Sequence, residues 1–402
     1  MKVVICGAGI AGWAAAGGLA GRGDEVVVLD RAAGPRQQGY MMDFFGPGYQ
    51  AAAELGVLPE VRERGYRVSE VSYLDRAGRR RAGLPFARFA AFARNGELVS
   101  IMRPDLEAVL REHVSDRVEL RYGAAVTDVR DGEHGATVTL ADGARIDADL
   151  VVGADGIHSA VRGRLFGPES GFLRYLGFHT AGFAVSDPQV HAELRGRFCL
   201  TDTTDRLMGL YGLRDGRVAA FAVHRTPDPA LPEDPRAELR DRYRCLGWVV
   251  PRVLERCPPA DEIYYDQVAQ VELPRWTGRH VALLGDAAYA VSLLAGQGAS
   301  LAVAGAFVLT DLLDRAGSVP EALAGYESLW RPVVTDTQRS ARNGMRWFLP
   351  ETTTQLWIRR LALRLAVLPA VNRLVARAVA GSQTDLVATL AGQRAAVAQR
   401  RD

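Results

Sequence analysis

The first thirty residues constrain the fold more than any other stretch. Lys2-Val3-Val4-Ile5-Cys6 is a β-rich run suited to a strand buried on both faces. Gly7-Ala8-Gly9-Ile10-Ala11-Gly12 follows and fits GxGxxG, "WAAAGGLAGRG" continues as a helix of small residues, and "EVVVLD" supplies a second strand ending at Asp30. This strand–turn–helix–strand unit predicts a dinucleotide-binding turn. Gly7 permits the tight turn, Gly9 lets the backbone approach a pyrophosphate, and Gly12 allows close packing of helix on strand. Ile10 and Ala11 open the helix, whose unpaired N–H groups and positive dipole end face the phosphates. Asp30, 18 residues after Gly12, is placed to accept from a ribose, with Arg31 beside it. A glycine-rich helix start with no ligand is the alternative. The motif by itself leaves FAD and NAD both open.

Length and composition narrow the field. A chain of 402 residues accommodates two domains, or one large domain with an insertion. A net charge of +2 gives no reason to expect nucleic acid. Lys2 is the only lysine, so no other lysine exists to form a Schiff base or serve a phosphate-binding P-loop. Cys6, Cys199, Cys245 and Cys257 are scattered without a CxxC pair, which argues against a disulfide framework or metal site and fits a reduced, cytoplasmic setting. The glycine spacing of the N-terminus reads as structure and not as a signal peptide. No run of about 18 uninterrupted apolar residues predicts a membrane span.

Two later stretches repeat the strand-to-glycine pattern. "ADLVVGADGIHSAVR" (148–162) runs from an apolar strand into Gly153-Ala154-Asp155-Gly156, and "GDAAYAVSLLAGQGAS" (285–300) follows the short strand "HVALL". In this order, over roughly residues 1 to 340, the three turns resemble the fingerprints of the class A flavoprotein monooxygenases, the para-hydroxybenzoate hydroxylase-like family. The resemblance implies a Rossmann-like FAD-binding domain. "RQQGYMMDFFGPG" is similar to a loop of the tetracycline-inactivating members, where Arg36 would contact NAD(P)H and Asp43 would lie on the flavin side. "SIMRPDLEAVLREHV" is similar to the family's arginine-led helix, in which Arg103 would contact FAD. Val126 is carried over as a further cofactor contact, and Asp155 and Gly156 lie in a turn associated with both FAD and NAD(P)H. Asp286 would hydrogen-bond the ribityl chain. Gly296, Gly298 and Ala299 would let the isoalloxazine ring and pyrophosphate approach the backbone.

Other readings stand beside these. Arg103 also suits a helix cap, Arg36 a solvated loop charge, and Cys6 a buried core thiol. The chain also departs from the family pattern. Tyr289 and "AVSLL" occupy a segment where relatives place histidine and prolines, and Ser300 stands where asparagine is common. Loss of proline predicts a loop more mobile without substrate.

Between the second and third turns, "FLRYLGFHTAGFAV", "GRFCLTD", "RLMGLYGL" and "RVAAFAVHR" predict an antiparallel sheet covering the flavin, with a hairpin at Leu213-Arg214-Asp215-Gly216. The expected fold class is therefore α/β, with an inserted antiparallel substrate domain and a C-terminal helical tail. The expected partition is a discontinuous flavin domain at 1–70, 103–170 and 276–344, a substrate sheet at 71–102 and 171–275, and helices at 345–402. Arg206 matches a substrate-side arginine of the tetracycline-inactivating relatives. His179, Thr180, Tyr211 and His224 are further pocket candidates, the alternative being the solvent face of the sheet. In the tail, "TTQLWIRRLALRLAV" and "PAVNRLVARAVAG" are basic and amphipathic, with Pro369 at a helix start, Gly381 at a stop and "SQTD" as a capping box. Such helices either pack on their own protein or contact a membrane surface peripherally.

The resemblance implies an FAD-dependent monooxygenase. NAD(P)H would reduce the flavin, and O2 would react through a C4a-hydroperoxyflavin to hydroxylate or epoxidise a small substrate of polycyclic or polyketide-like type. A flavin-dependent reductase or desaturase of a lipid or isoprenoid, and a flavoprotein scaffold templating a non-redox cyclisation, remain open alternatives. A monomer or homodimer is expected. No GxSxG elbow supports a hydrolase.

Overall fold

Val3, Val4 and Ile5 in β1 (Lys2–Cys6) are buried without trace of solvent, because β1 has a parallel strand on either side and packed elements over both faces. The computed structural model of the chain describes residues 1–36, 38–90, 97–365 and 384–398. β1 is the centre of a five-stranded parallel sheet with β2 (Glu25–Leu29), β7 (Glu119–Arg121), β11 (Leu150–Gly153) and β17 (Val281–Leu283), in the order β17-β11-β1-β2-β7. The small-residue helix Ile10–Gly21 packs between this sheet, the helix Arg103–Val114 and the helix Gly298–Arg315. Its glycines allow that approach: a Cβ at Gly18 would lie 2.8 Å from the side chain of Thr310. A three-stranded antiparallel sheet of β8 (Val126–Asp131), β9 (Ala136–Leu140) and β10 (Arg145–Ala148) flanks this unit.

The second large sheet has seven strands: β4 (Glu70–Leu74), β5 (Arg80–Pro85), β12 (Leu173–Ser186), β13 (Phe198–Asp202), β14 (Arg206–Gly212), β15 (Arg217–Arg225) and β16 (Tyr264–Val271). Their order is β16-β12-β15-β14-β13-β4-β5, antiparallel except where β13 meets β4. β14 and β15 are joined at Leu213–Gly216, where Gly216 has φ +83°. β16, a run of aromatic and β-branched residues, is an edge strand the sequence reading had passed over. β6 (Leu98–Met102) pairs with β3 (Met41–Phe45) in a separate two-stranded ladder and does not join the seven-stranded sheet.

Both faces of the seven-stranded sheet are covered. Ala181, Phe183, Met208, Leu210, Ala220 and Ala222 face the helices Pro188–Leu194, Pro235–Tyr243 and Val250–Glu255. The opposite face turns toward the parallel sheet, and the candidate site lies between the two.

At the C-terminal end, the helix Val319–Phe348 runs through position 345, so the expected tail begins inside a continuous helix. The helix Leu386–Ala398 is docked on the parallel-sheet unit. Val387 and Leu390 are buried in its core, and Arg394 pairs with fully buried Asp311 at 2.9 Å. Thr384 Oγ accepts from the Leu386 amide, a local cap, while the expected features at Pro369, Gly381 and Ser382 lie outside the described residues. No helix among the described residues is long and apolar enough to cross a membrane.

Candidate active site

The glycine turn is as tight as its motif requires. Gly7 has φ +113°, and a Cβ there would sit 2.4 Å from the Ala154 carbonyl oxygen. A Cβ on Gly12 would lie 1.9 Å from the Gly7 carbonyl oxygen, so helix and turn touch backbone to backbone. Gly9 differs. Its Cβ would enter open space, with the Arg103 Nη2 the nearest atom at 3.7 Å. Arg103 Nη1 is buried and makes no hydrogen bond, while Nη2 pairs with Glu107 at 2.8 Å. An unpartnered guanidinium nitrogen opposite an exposed glycine turn is what an anionic group would satisfy. A pyrophosphate fits that gap.

Two cavities meet there, sharing Gly9, Arg103, Ala154 and Gly156. The first, about 240 Å³, is lined by Gly7, Asp30, Arg31, Arg36, Val126 and Asp155 among others. Asp30 is pre-set in it: Oδ2 accepts from the Ala8 amide and Oδ1 from the Ala32 amide, both at 2.8 Å. Asp155 accepts from Ser159 Oγ at 2.5 Å and the Val161 amide at 3.1 Å, so it caps the helix Ala160–Phe166 from the cavity wall. Arg36 also borders an adjoining groove of about 290 Å³, together with Gln38, Arg111 and Arg217.

The second cavity, about 180 Å³, is lined by Ile10, Ala11, Asp286, Gly296, Gly298 and Ala299, and on the side of the large sheet by Tyr40, Met42, Tyr264, Gln267 and Val268. Asp286 opens onto this cavity yet is walled by protein on its other sides. That burial raises its pKa, with Arg103 opposing the shift and Asp266 reinforcing it. Fully buried Arg162 steadies the turn, donating to the Ala287 carbonyl at 3.1 Å and the Ile157 carbonyl at 2.7 Å. Tyr40 meets Tyr264 and Phe221 with ring centroids 5.7 Å apart in each pair, an aromatic wall at the cavity's far side.

His158, which also lines the first cavity, ties the two sheets together. Its Nδ1 lies 3.0 Å from Glu169 and its Nε2 3.2 Å from Asp266 on β16. Hydrogen bonding to Asp266 first, and to Glu169, pushes its pKa up to about 9 against the opposing effect of burial.

The segment 289–294 is tied down without proline. Gln338 donates to the Val271 and Ala290 carbonyls, and Gln270 donates to the carbonyls of Val291 and Gln338. Tyr289 is buried and accepts from Tyr326. Ser292 holds φ +95°, a strained value for a side-chain-bearing residue, at the cavity wall. Buried glutamines thus anchor the Ala290 and Val291 carbonyls at the start of the segment. Ser300 has a local task as well, accepting from the Gly48 amide at 2.9 Å and donating to the Phe45 carbonyl.

Several sequence candidates lie elsewhere. Asp43 does not line either cavity. It accepts from Ser100 Oγ at 2.6 Å within the β3–β6 ladder, and burial lifts its pKa to about 6. His179, Arg206 and His224 occupy the helix-covered face of the large sheet, turned away from the cavities. His179 meets Tyr265, and His224 meets Tyr243 at 3.0 Å, with burial pushing its pKa down to about 3. Arg206, only partly buried, pairs with Asp205 at 2.7 Å and donates to the Arg242 carbonyl. Thr180 lies on the cavity-side face beside Asp266, but it is buried and its hydroxyl has no partner. Tyr211 acts as a strut, its hydroxyl accepting from the Met41 amide and donating to Met102 sulfur. The residues the sequence reading missed are Tyr40, Tyr264 and His158. The signal available was the strand pattern "YYDQVAQV".

Comparison with known proteins agrees with this geometry. A family model described as an FAD binding domain matches residues 1–341. A flavin-dependent monooxygenase of an unknown prokaryotic organism is 30% identical, over 84% of this chain and 87% of its own. An FAD-dependent monooxygenase of Sarocladium schorii is 30% identical, over 87% and 88%. The crystal structure of a tetracycline destructase superposes with a TM-score of 0.78 at 25% identity, covering 95% of this chain and 98% of that one. With the glycine turn, the paired cavities and the covering sheet in place, the chain belongs to the FAD-binding-domain family of flavin-dependent monooxygenases.

Proposed function

We propose that the chain uses NAD(P)H and O2 to hydroxylate or epoxidise a planar polycyclic, polyketide-like molecule held against the aromatic wall. The observation that carries this reading is the pair of joined cavities, meeting at the Gly9–Arg103 gap with its unpartnered guanidinium nitrogen, the second bordered by Tyr40 and Tyr264, with Phe221 packed against Tyr40. The tetracycline destructase, whose name states a polycyclic substrate, supports the substrate class.

When bound, FAD would supply the redox chemistry, the two electrons from NAD(P)H with which O2 gives one oxygen atom to the substrate and the other to water. Each protein group then has a positioning task. The Gly7–Gly9 amides, the start of the helix Ile10–Gly21 and Arg103 Nη1 hold the pyrophosphate. Asp30, fixed by two amides, keeps lone pairs for a ribose. Asp286 accepts from the ribityl hydroxyls, and Gly296 and Gly298 leave the backbone open to the ring. Arg36, at the junction of the first cavity and the adjoining groove, meets the nicotinamide cofactor. Tyr40, Tyr264 and Phe221 exclude water from the reacting face and orient a flat substrate.

The test is turnover of a panel of polycyclic phenols and quinones by the flavin-loaded protein under labelled O2. One labelled atom in the product, with NAD(P)H consumed, is the expected result. Conversion without oxygen that still consumes NAD(P)H would establish a reductase, and anaerobic conversion with unreduced flavin would establish a templated cyclisation.

A further inference from the structure

The helix Thr353–Leu365 shows the reverse of the usual amphipathic arrangement. Its inward side chain is Arg359, 1% exposed and paired with Asp202, while Trp357, Ile358, Leu361 and Leu365 are 64%, 47%, 38% and 42% exposed. Trp357, Leu361 and Leu365 recur every fourth position, which places them along one side of the helix. Single exposed apolar residues need no explanation, but four on one short helix form a patch.

The charge around the patch is one-sided. From 352 to 384 the sequence has five arginines, at 359, 360, 364, 373 and 377, and no acidic residue. A hollow of about 620 Å³ beside the helix is bordered by Arg76 and Arg364. The two carboxylates in that hollow are already neutralised, Asp202 by Arg359 and Arg360, Asp75 by Arg79 and Arg81.

An exposed tryptophan–leucine side beside a net excess of arginine, with Arg76 and Arg364 left over once the two carboxylates are paired, matches the interface of an anionic bilayer, where apolar side chains enter the acyl boundary and guanidinium groups meet phosphates. We propose that the helix Thr353–Leu365 docks this protein in-plane on an anionic lipid surface. The inference stands on this helix alone and is independent of the flavin chemistry.

The test is co-sedimentation of the flavin-loaded full chain with vesicles of phosphatidylcholine, alone or mixed with phosphatidylglycerol. Binding to the mixed vesicles, weakened by added salt, is the expected result. Trp357→Glu and Leu361→Glu should each lower partitioning about tenfold or more, as loss of one buried apolar side chain implies. Retained flavin absorbance and thermal midpoint show that each variant is folded, and Leu361→Gln, a milder change, decides the matter if either is not. No binding to the mixed vesicles, or equal binding by the folded variants, overturns the proposal. So does a dimer in gel filtration that Leu361→Glu dissociates, because a second copy would then cover the face.

Discussion

Asp286 and His158 are both ionisable groups on the cavity walls whose pKa values the surrounding protein raises, and each yields a prediction at the scale of one residue. Asp286 opens onto the second cavity with its pKa raised by the surrounding protein, so its carboxylate is best stabilised by hydroxyl donors from a ligand. Asp286→Ala should weaken FAD binding by about 1.5–3 kcal/mol, the range for hydrogen bonds to a charged acceptor. Flavin occupancy after dialysis measures it, and unchanged occupancy removes Asp286 from the cofactor site. His158 is raised, from an unperturbed value of about 6.5 to about 9. A raised histidine pKa means the folded state holds the proton more tightly. The bridge to Asp266 and Glu169 therefore contributes fully below about pH 6.5 and is lost as pH rises through about 9. Because the side chain is 39% exposed, solvent screening limits that contribution to about 1 kcal/mol. His158→Gln should therefore be less stable than the parent near neutral pH, and the two should converge above about pH 9. Chemical denaturation across that interval checks it, and a constant difference would show that the bridge is not ionic.

At the scale of one element, the segment 289–294 is held by partners remote in sequence. It has no proline, and Gln270 and Gln338 bind the Val291 and Ala290 carbonyls from β16 and from the helix Val319–Phe348. Nothing in the local sequence announces those partners, which lie tens of residues away. Gln338→Leu keeps the volume but removes both donated hydrogen bonds, leaving the Val271 and Ala290 carbonyls short of a buried donor. It should cost about 1–3 kcal/mol in denaturant unfolding. It should also increase NAD(P)H consumption uncoupled from product, because Val291 and Ser292 line the second cavity. Full coupling in that variant would show that the clamp serves stability alone. The large sheet hid information in a similar way. An alternating pattern reveals a strand, but when both faces are buried it does not reveal which face meets the site. His179 and Thr180 illustrate the ambiguity: neighbours in sequence, they face opposite sides of β12, and neither lines the cavities.

For the molecule as a whole, the cofactor half was readable in advance because its requirements are local. Gly7, Gly9 and Gly12 are each needed where backbone meets backbone or opens toward a ligand, and such needs leave glycine at fixed spacing whatever the rest of the chain does. The proposed substrate side was not readable, because Tyr40, Tyr264 and Phe221 converge from three separate segments through sheet pairing and domain packing. The two described helices at the C-terminal end are oppositely arranged. Leu386–Ala398 buries Val387 and Leu390 and places Arg394 on Asp311, whereas Thr353–Leu365 turns its apolar side outward. Deleting residues 384–402 should therefore expose core surface on the helix Gly298–Arg315 and leave fully buried Asp311 with Arg315 as its remaining ion-pair partner. Losing the burial of Val387 and Leu390 alone amounts to roughly 3–6 kcal/mol, at about 1.5–3 for each side chain. The truncated protein should show a lower unfolding midpoint and a greater tendency to aggregate. Its binding to anionic vesicles should be unchanged in a folded fraction, because Trp357, Leu361 and Arg364 are still present. A truncation that keeps the parent's stability but loses vesicle binding would reverse the assignment of the two helices.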